Sequence, residues 1–162
     1  MGKGKNATRR GARELAFQVL YGLSFTPATN PGELRRAFVL SPHNTAMNEE
    51  DLSAEPTGFA WELVKGVWNN SKALDAAIDR FSHNWRVDRM GRIELTLLRL
   101  AVFEMLYRQD VPPKVAINEA LELSGQFGEG NAKNFINGIL DAAAKALESG
   151  EPVPPAARAT NP

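Results

Sequence analysis

The 162-residue sequence contains no cysteine. Disulfide bonds, thiolate nucleophiles and cysteine-ligated zinc or iron–sulfur sites are therefore excluded. Histidine is nearly as scarce, because the chain contains only His43 and His83, which do not have the close spacing of a metal-ligating pair. We expect both histidines at the protein surface and predict no metal site.

Long apolar runs are absent as well. No uninterrupted run exceeds four residues, as at 100–103, whereas a membrane-spanning helix needs roughly 20. Residues 1–25 begin basic and then turn apolar, but Glu14, Gln18 and Ser24 interrupt the apolar part. We therefore predict no export signal and expect a soluble, cytoplasmic protein.

An excess of one charge is also missing, because 19 basic residues balance 19 acidic ones. This balance argues against nucleic-acid binding through bulk positive charge. The distribution is nevertheless uneven: residues 1–13 carry five basic residues and no acid, so the other 149 carry 14 basic and 19 acidic residues. The five basic residues are Lys3, Lys5, Arg9, Arg10 and Arg13.

Apolar residues recur with a 3.6-residue period along most of the chain, and no segment has the pattern of a strand. This pattern predicts an all-α bundle of six or seven helices. We expect a basic disordered head (residues 1–8), a helical domain (9–148) and a disordered proline-rich tail (149–162), with a polar mobile loop at 41–55. The predicted helices cover residues 9–23, 33–39, two segments opening at Thr57 and Ser71, 93–107, 114–127 and a last segment that is capped by Asn131 and stops before Gly150.

Residues 93–107 are predicted to form the central helix. Eleven of these 15 residues are apolar and point in all directions around the helix axis, which is typical of a helix surrounded by others. Arg99 and Glu104 interrupt this segment, and Glu104 lies four residues before Arg108. A buried ion pair or network explains such charges better than acid–base chemistry does.

The first helix has two faces. One face is aliphatic, and the other carries Arg10, Arg13, Phe17 and Tyr21 in one stripe. Arginines neutralise phosphates and aromatic rings stack on unpaired bases, so the stripe has the residue types that single-stranded RNA recognition requires. Alternatively, the rings pack under a neighbouring helix and the arginines are simply solvated. Spacing alone leaves both interpretations open.

The last helix carries a second aromatic residue off its apolar face, Phe135, close to the predicted cap at Asn131. A phosphate could bind near residues 131–134, because helix N-termini present unpaired N–H groups and a positive dipole end. A capping asparagine and a core phenylalanine are the alternative. Phosphate-loop, dinucleotide-binding and nucleophile-elbow motifs are absent from the sequence, so no catalytic constellation is predicted.

Four further blocks of the chain are distinctive: RRGARELAFQVLY (9–21), LRLAVFEM (98–105), DVPPKVAINEALEL (110–123) and NFINGIL (134–140). They closely resemble, in the same order, blocks of the NusB family of bacterial transcription antitermination factors. The VAINEA and F-x-NG elements together make this resemblance specific.

The resemblance implies the NusB fold, in which two helical subdomains pack together, with no catalytic activity and no cofactor. It also implies an adaptor that binds boxA single-stranded RNA as a heterodimer with NusE, a small-subunit ribosomal protein. That complex joins RNA polymerase and suppresses termination during ribosomal RNA synthesis.

The resemblance also implies two surfaces on this chain. The RNA-contacting residues would be Arg9, Arg10, Arg13, Lys133 and Phe135, and our RNA site adds Phe17 and Asn131. Tyr21, Asp88 and Glu94 align with positions that face the ribosomal protein, and two acids suit a basic partner. The segment 130–134 departs from the family, because relatives commonly carry an acid and a serine where this chain has GNA.

Two other functions remain open. NusB-like domains also occur fused to RNA methyltransferases, so the chain could be an RNA-binding accessory to such an enzyme, although only 15 residues follow Leu147. Some family members form homodimers, so a self-associating structural bundle is the third hypothesis.

Overall fold

The computed structural model describes residues 8–83 and 85–151. All regular elements in these two ranges are helical, so the all-α prediction is confirmed. No helix in the same ranges is long and apolar enough to cross a bilayer. Residues 1–7 and 152–162, most of the predicted disordered head and tail, lie outside the described part of the chain.

The α-helices are α1 (Arg9–Leu23), α2 (Pro31–Val39), α3 (Phe59–Asn69), α4 (Ser71–Phe81), α5 (Arg92–Tyr107), α6 (Pro113–Phe127) and α7 (Ala132–Glu148), with 3-10 helices at Glu49–Ser53 and Val87–Arg89.

The chain divides into two compact units, Met1–Gly66 and Val67–Pro162. In the first unit, the Thr8 side chain caps α1 by accepting a hydrogen bond from the Gly11 amide at 3.0 Å. Asn30 caps α2 in the same way and is followed by proline, whose fixed φ suits the first helical position. The starts of α1 and α2 are therefore encoded locally.

The segment 41–55 is more ordered than the predicted mobile loop, so that prediction is wrong in part. Glu49–Ser53 forms a 3-10 helix closed by a capping box between Asn48 and Asp51. Asn44 is buried, and its side-chain amide donates to the Phe38 carbonyl at 2.9 Å. Polar side chains here bond the local backbone, which periodicity cannot indicate.

Glu55, the last residue of this segment, has several side-chain partners. It accepts hydrogen bonds from Lys65 Nζ at 3.0 Å and Trp61 Nε1 at 2.8 Å, and Arg35 lies 3.6 Å away. The bond from Lys65, followed by that from Trp61, holds the pKa of Glu55 below its ordinary value of 4.5. The carboxylate is therefore ionised at neutral pH and links the end of the segment to α3.

In the second unit, α5 is the central helix, as predicted. It packs against α4, α6 and α7, and α7 also packs on α4 and α6. Leu97 and Leu98 have no solvent-exposed surface. A helix with neighbours on several sides buries apolar residues around much of its circumference.

The charges within α5 have structural roles. Arg99 donates two hydrogen bonds to Asp75 of α4, from Nε at 2.7 Å and from Nη2 at 2.8 Å, so the predicted ion pair is present, although both side chains are partly exposed and not buried. Glu104 is only 1% exposed. Just after α5, Arg108 forms a bidentate pair with Asp110, with both distances at 3.1 Å. The Arg99 pair joins α4 to α5 with the planar geometry that guanidinium and carboxylate groups prefer.

Asn131 occupies the predicted cap position of α7, but its side chain makes no capping hydrogen bond, so that part of the prediction is wrong. The other end of α7 agrees with the sequence: the helix stops at Glu148, and Gly150 adopts a φ of +79°. Glycine tolerates this left-handed conformation without strain.

Gly128, which follows α6, is expected to resist substitution. A Cβ added there would lie 2.8 Å from the Ser124 carbonyl oxygen, and backbone cannot easily move aside. We expect Gly128→Ala to lower the free energy of unfolding by about 1–3 kcal/mol through overpacking, measured by urea denaturation.

Gly138, inside α7, is the matched control because a Cβ there would meet nothing within 4 Å. Gly138→Ala is expected to stabilise the protein by about 0.5–1 kcal/mol, since alanine favours the helix interior. Equal effects of the two substitutions would contradict this explanation.

Candidate nucleic-acid interface

Arginines cluster at the start of α1, whose first turn contains no acidic residue. This arrangement opposes the helix macrodipole, which favours acids at the N-terminus. Helix stability therefore does not account for the arginines. The combined positive charge of the side chains and the helix N-terminus instead favours an anion at this end.

Phe59 of α3 positions two of these arginines. The guanidinium carbon lies 4.3 Å from the Phe59 ring centroid for Arg9 and 5.2 Å for Arg13. Both distances are within the range of cation–π attraction. Arg9 and Arg10 are exposed to solvent, so the exposed charge at this end of α1 includes one arginine that is held over a ring.

Arg13 and Phe17 are not exposed as predicted. Arg13 is 4% exposed and Phe17 is 2% exposed. The Phe17 ring stacks on that of Tyr21 at a centroid distance of 5.9 Å. The prediction that Phe17 offers an open ring face is therefore wrong, and the alternative of a packed ring is the one observed. Arg13 lacks the exposed guanidinium that its predicted phosphate contact requires, because it too is buried on the inward side of α1.

The second predicted RNA patch lies at the start of α7, in the other unit. Asn131 and Lys133 are exposed and Phe135 is half-buried. The Lys133 side chain passes over Gly125 of α6, where an added Cβ would lie 3.2 Å from Nζ. The patch thus combines an ammonium, an amide and a partly open ring around the N-terminus of one helix.

Trp85 adjoins this patch, and our sequence reasoning missed it. Its side chain is 55% exposed, and its ring meets Phe135 edge-to-face at a centroid distance of 5.7 Å and an interplanar angle of 82°. The available signal was a tryptophan among polar residues outside any predicted helix. Helical periodicity cannot identify such a residue, because it belongs to no amphipathic helix face.

An open cavity of about 300 Å³ lies beside Trp85 and Phe135. Apolar groups form much of its lining, and a few polar side chains border it, as is common in ligand sites. It brings together Glu94, predicted to face a protein, and Asn131, predicted to contact RNA. The lining residues are Trp85, Arg89, Met90, Gly91, Glu94, Glu129, Asn131, Ala132 and Phe135.

The predicted protein-facing residues lie in both units. Tyr21 is half-buried and meets the ring of Phe25 at 5.1 Å, and Phe25 is 57% exposed. Asp88 is exposed and pairs with Arg86 at 3.1 Å. Glu94, in the first turn of α5, folds back so that a Cβ on Gly91 would collide with its carboxylate. Sequence reasoning missed Phe25, which extends the apolar surface beside Tyr21.

Within the described ranges, no group of three or more histidine, cysteine, aspartate or glutamate residues could hold a metal ion. The predicted RNA patches contain arginine, lysine, aromatic and amide groups, which bind anions and flat rings.

Comparison with known proteins identifies the family. The family model "NusB family" matches residues 10–145. "Transcription antitermination protein NusB" of Desulfovibrio desulfuricans is 76% identical over 152 residues and covers 93% of each chain. The protein of the same name from Myxococcus xanthus is 45% identical over 139 residues, which cover 86% of this chain and 96% of the relative.

Solved structures agree with this result. T. maritima NusB matches with a TM-score of 0.69 at 26% identity, over 93% of this chain and 96% of that one. A structure described as "Antitermination Factors NusB and NusE in complex with dsRNA" matches with a TM-score of 0.68 at 29% identity, over 85% and 96% of the two chains. The resemblance noted in four sequence blocks thus extends to the whole helical domain, and the chain belongs to the NusB family.

Proposed function

We propose that this chain is a cytoplasmic, non-catalytic adaptor in transcription antitermination, which binds boxA-type single-stranded RNA together with the ribosomal protein NusE. Family membership supports this function, as does the NusB–NusE complex with RNA among the structural relatives. The observation that carries the proposal is the exposed arginine pair at the N-terminus of α1, with Arg9 held over Phe59.

The arginines act on the RNA backbone in this proposal. Arg9 and Arg10 neutralise phosphates and release the counterions condensed on the RNA, which makes binding dependent on salt. Contact with Phe59 limits the conformations of Arg9, so less side-chain entropy is lost on binding. Arg13 is buried beneath them and supplies positive charge from within the helix end.

The start of α7 supplies the second RNA contact. Lys133 adds a positive charge, Asn131 an amide, and Phe135 a partly exposed ring. These are the groups that hold phosphates and unpaired bases. Because this patch belongs to the second unit and the arginines to the first, RNA contacts would be contributed by both units of the chain.

The ribosomal partner would use other groups. Tyr21 with Phe25 offers a rigid aromatic anchor of the kind enriched at protein interfaces. Asp88 and Glu94 add negative charge, which attracts a basic protein and orients it on approach. In this proposal, the adaptor with NusE and RNA becomes part of the RNA polymerase antitermination complex.

The test is RNA binding by the full chain with and without purified NusE. For labelled boxA RNA with three to five phosphate contacts, we expect log affinity to fall with log salt at a slope of roughly −2 to −3.5. Adding NusE should raise RNA affinity, because in the proposed complex the adaptor binds both ligands together and each binding strengthens the other. Fluorescence anisotropy at several salt concentrations measures both effects.

A scrambled single strand and a boxA duplex are the controls. The duplex matters because the related structure contains double-stranded RNA. Equal affinity for boxA and the scrambled strand, or tighter binding of the duplex, would contradict the proposal. Mass measurement tests the alternative of self-association: a homodimer that neither RNA nor NusE dissociates would favour a structural bundle.

A further inference from the structure

Trp85 is an exposed tryptophan on a restrained backbone. Its amide donates to the Ser82 carbonyl at 3.0 Å, and the buried Ser82 hydroxyl donates back to the Trp85 carbonyl. Two residues later, the Val87 amide donates to Asp79 of α4 at 3.1 Å. The indole is therefore presented to solvent by a segment that hydrogen bonds tie to the end of α4.

We propose that Trp85, Phe135 and the adjoining cavity form a cleft for a single unpaired nucleobase, with Trp85 as the stacking surface. This inference rests on the proposed RNA-binding function and assigns a role to a residue that neither family resemblance nor helix periodicity indicated.

Ring geometry favours stacking on Trp85. In the edge-to-face pair, Phe135 supports the indole from one direction, while 55% of the side chain stays open to solvent. Each base stacked on an aromatic side chain contributes substantially to single-strand affinity. A flat base also suits the space available, because the cavity of about 300 Å³ is open at the surface.

Polar groups around the cavity indicate which bases fit. The Asn131 amide makes no capping hydrogen bond, and an amide can pair with the edge of a base. Glu129 also borders the cavity, and a carboxylate accepts from exocyclic amino groups. Cytosine, adenine and guanine carry such amino groups, whereas uracil carries none. The cleft should therefore prefer an amino-bearing base over uracil.

Positive groups beside the cleft favour RNA over a basic side chain of a protein. Arg89 borders the cavity, Lys133 is exposed two residues after Asn131, and the N-terminus of α7 contributes its positive dipole end. These positive groups, which lie beside Glu94 and Glu129, would attract the phosphate that accompanies a base, whereas a basic side chain of a protein brings no such anion.

The test compares Trp85→Ala and Trp85→Phe with the wild-type chain, using labelled boxA RNA. We expect Trp85→Ala to weaken RNA binding about five- to fiftyfold and Trp85→Phe to keep most of the affinity, because phenylalanine still stacks. Val115→Ala is the control, since it truncates another exposed apolar side chain, in α6, that belongs to neither proposed binding surface. It should leave RNA affinity in the absence of NusE unchanged, and thermal denaturation should confirm that all variants fold.

A scan of single abasic sites along the RNA locates the base. One abasic position should lower wild-type affinity but have little further effect in Trp85→Ala, since the two changes remove the same contact. At that position, replacing cytosine or adenine by uracil should also weaken binding. Quenching of tryptophan fluorescence by RNA should be lost in Trp85→Phe, which retains Trp61 and Trp68.

The results distinguish failure of the proposed cleft from failure of the proposed RNA-binding function. Wild-type RNA binding that Trp85→Ala leaves unchanged would overturn the cleft but not the proposed function. A Trp85→Ala variant that loses affinity for NusE and keeps its RNA affinity would also overturn it, because the cleft would then serve the protein partner. If the wild-type chain binds no RNA, both proposals fail.

Discussion

Replacing Arg9 and Arg10 together with alanine is expected to weaken boxA RNA binding about a hundredfold near 0.1 M salt. Each arginine makes a charge-assisted phosphate contact in the proposed complex, and one such contact corresponds to about tenfold in affinity. The salt slope should become shallower by roughly 1.4, because two fewer phosphates of a single strand are neutralised. Anisotropy titrations across a salt series measure both quantities.

Arg36→Ala is the control for the arginine pair. Arg36 is an exposed arginine of α2 in the same unit, so its loss changes net charge without altering the start of α1. A comparable loss of affinity per charge in Arg36→Ala would point to bulk electrostatics and contradict a localised contact. Phe59→Leu separates positioning from charge, since it removes the ring under Arg9 while every arginine remains.

Leu98→Ala is expected to lower the free energy of unfolding by about 2–5 kcal/mol. Leu98 has no exposed surface and lies in α5, the helix that contacts three others. Truncation removes apolar contacts and leaves a cavity, because close-packed neighbours relax only partly. Urea denaturation followed by circular dichroism measures the change, which should appear in the midpoint with an unchanged slope.

Leu95→Ala makes the same truncation on the same helix at a half-buried position. Its effect should be smaller, because part of the side chain is already in water and the gap opens to solvent. Equal losses in the two variants would contradict the central placement of α5. Helix propensity cannot explain a difference in stability between the two variants, since both substitutions replace leucine with alanine inside one helix.

The net charge of the chain is balanced, but basic and acidic residues are concentrated in different places. Arginines gather where α1 begins, and Asp88 and Glu94 lie in the second unit. Part of this pattern is structural, because Arg99 uses Asp75 and Arg108 uses Asp110 as ion-pair partners. Helix stability does not account for the arginines at the start of α1, whereas the proposed RNA contact does.

Sequence periodicity predicted most of the helices because their apolar residues recur at the helical period. The start of α1 followed from a capping threonine, and the central place of α5 followed from apolar residues on all sides of its axis. The segment 49–53 was missed because a 3-10 helix of five residues is too short to display a period. Its order depends instead on an asparagine cap that only the backbone geometry reveals.

The sequence by itself determined the all-α class, the helix order, the family, and the clustering of basic residues near the first helix. All of these depend on residue type and spacing along the chain. Only the tertiary structure decided that Phe17 and Arg13 are buried, that Arg9 lies over Phe59, and that Trp85 meets Phe135 beside a cavity. The physical reason is that exposure and ring contacts depend on which elements pack together, and residues as distant as 85 and 135 share no local pattern.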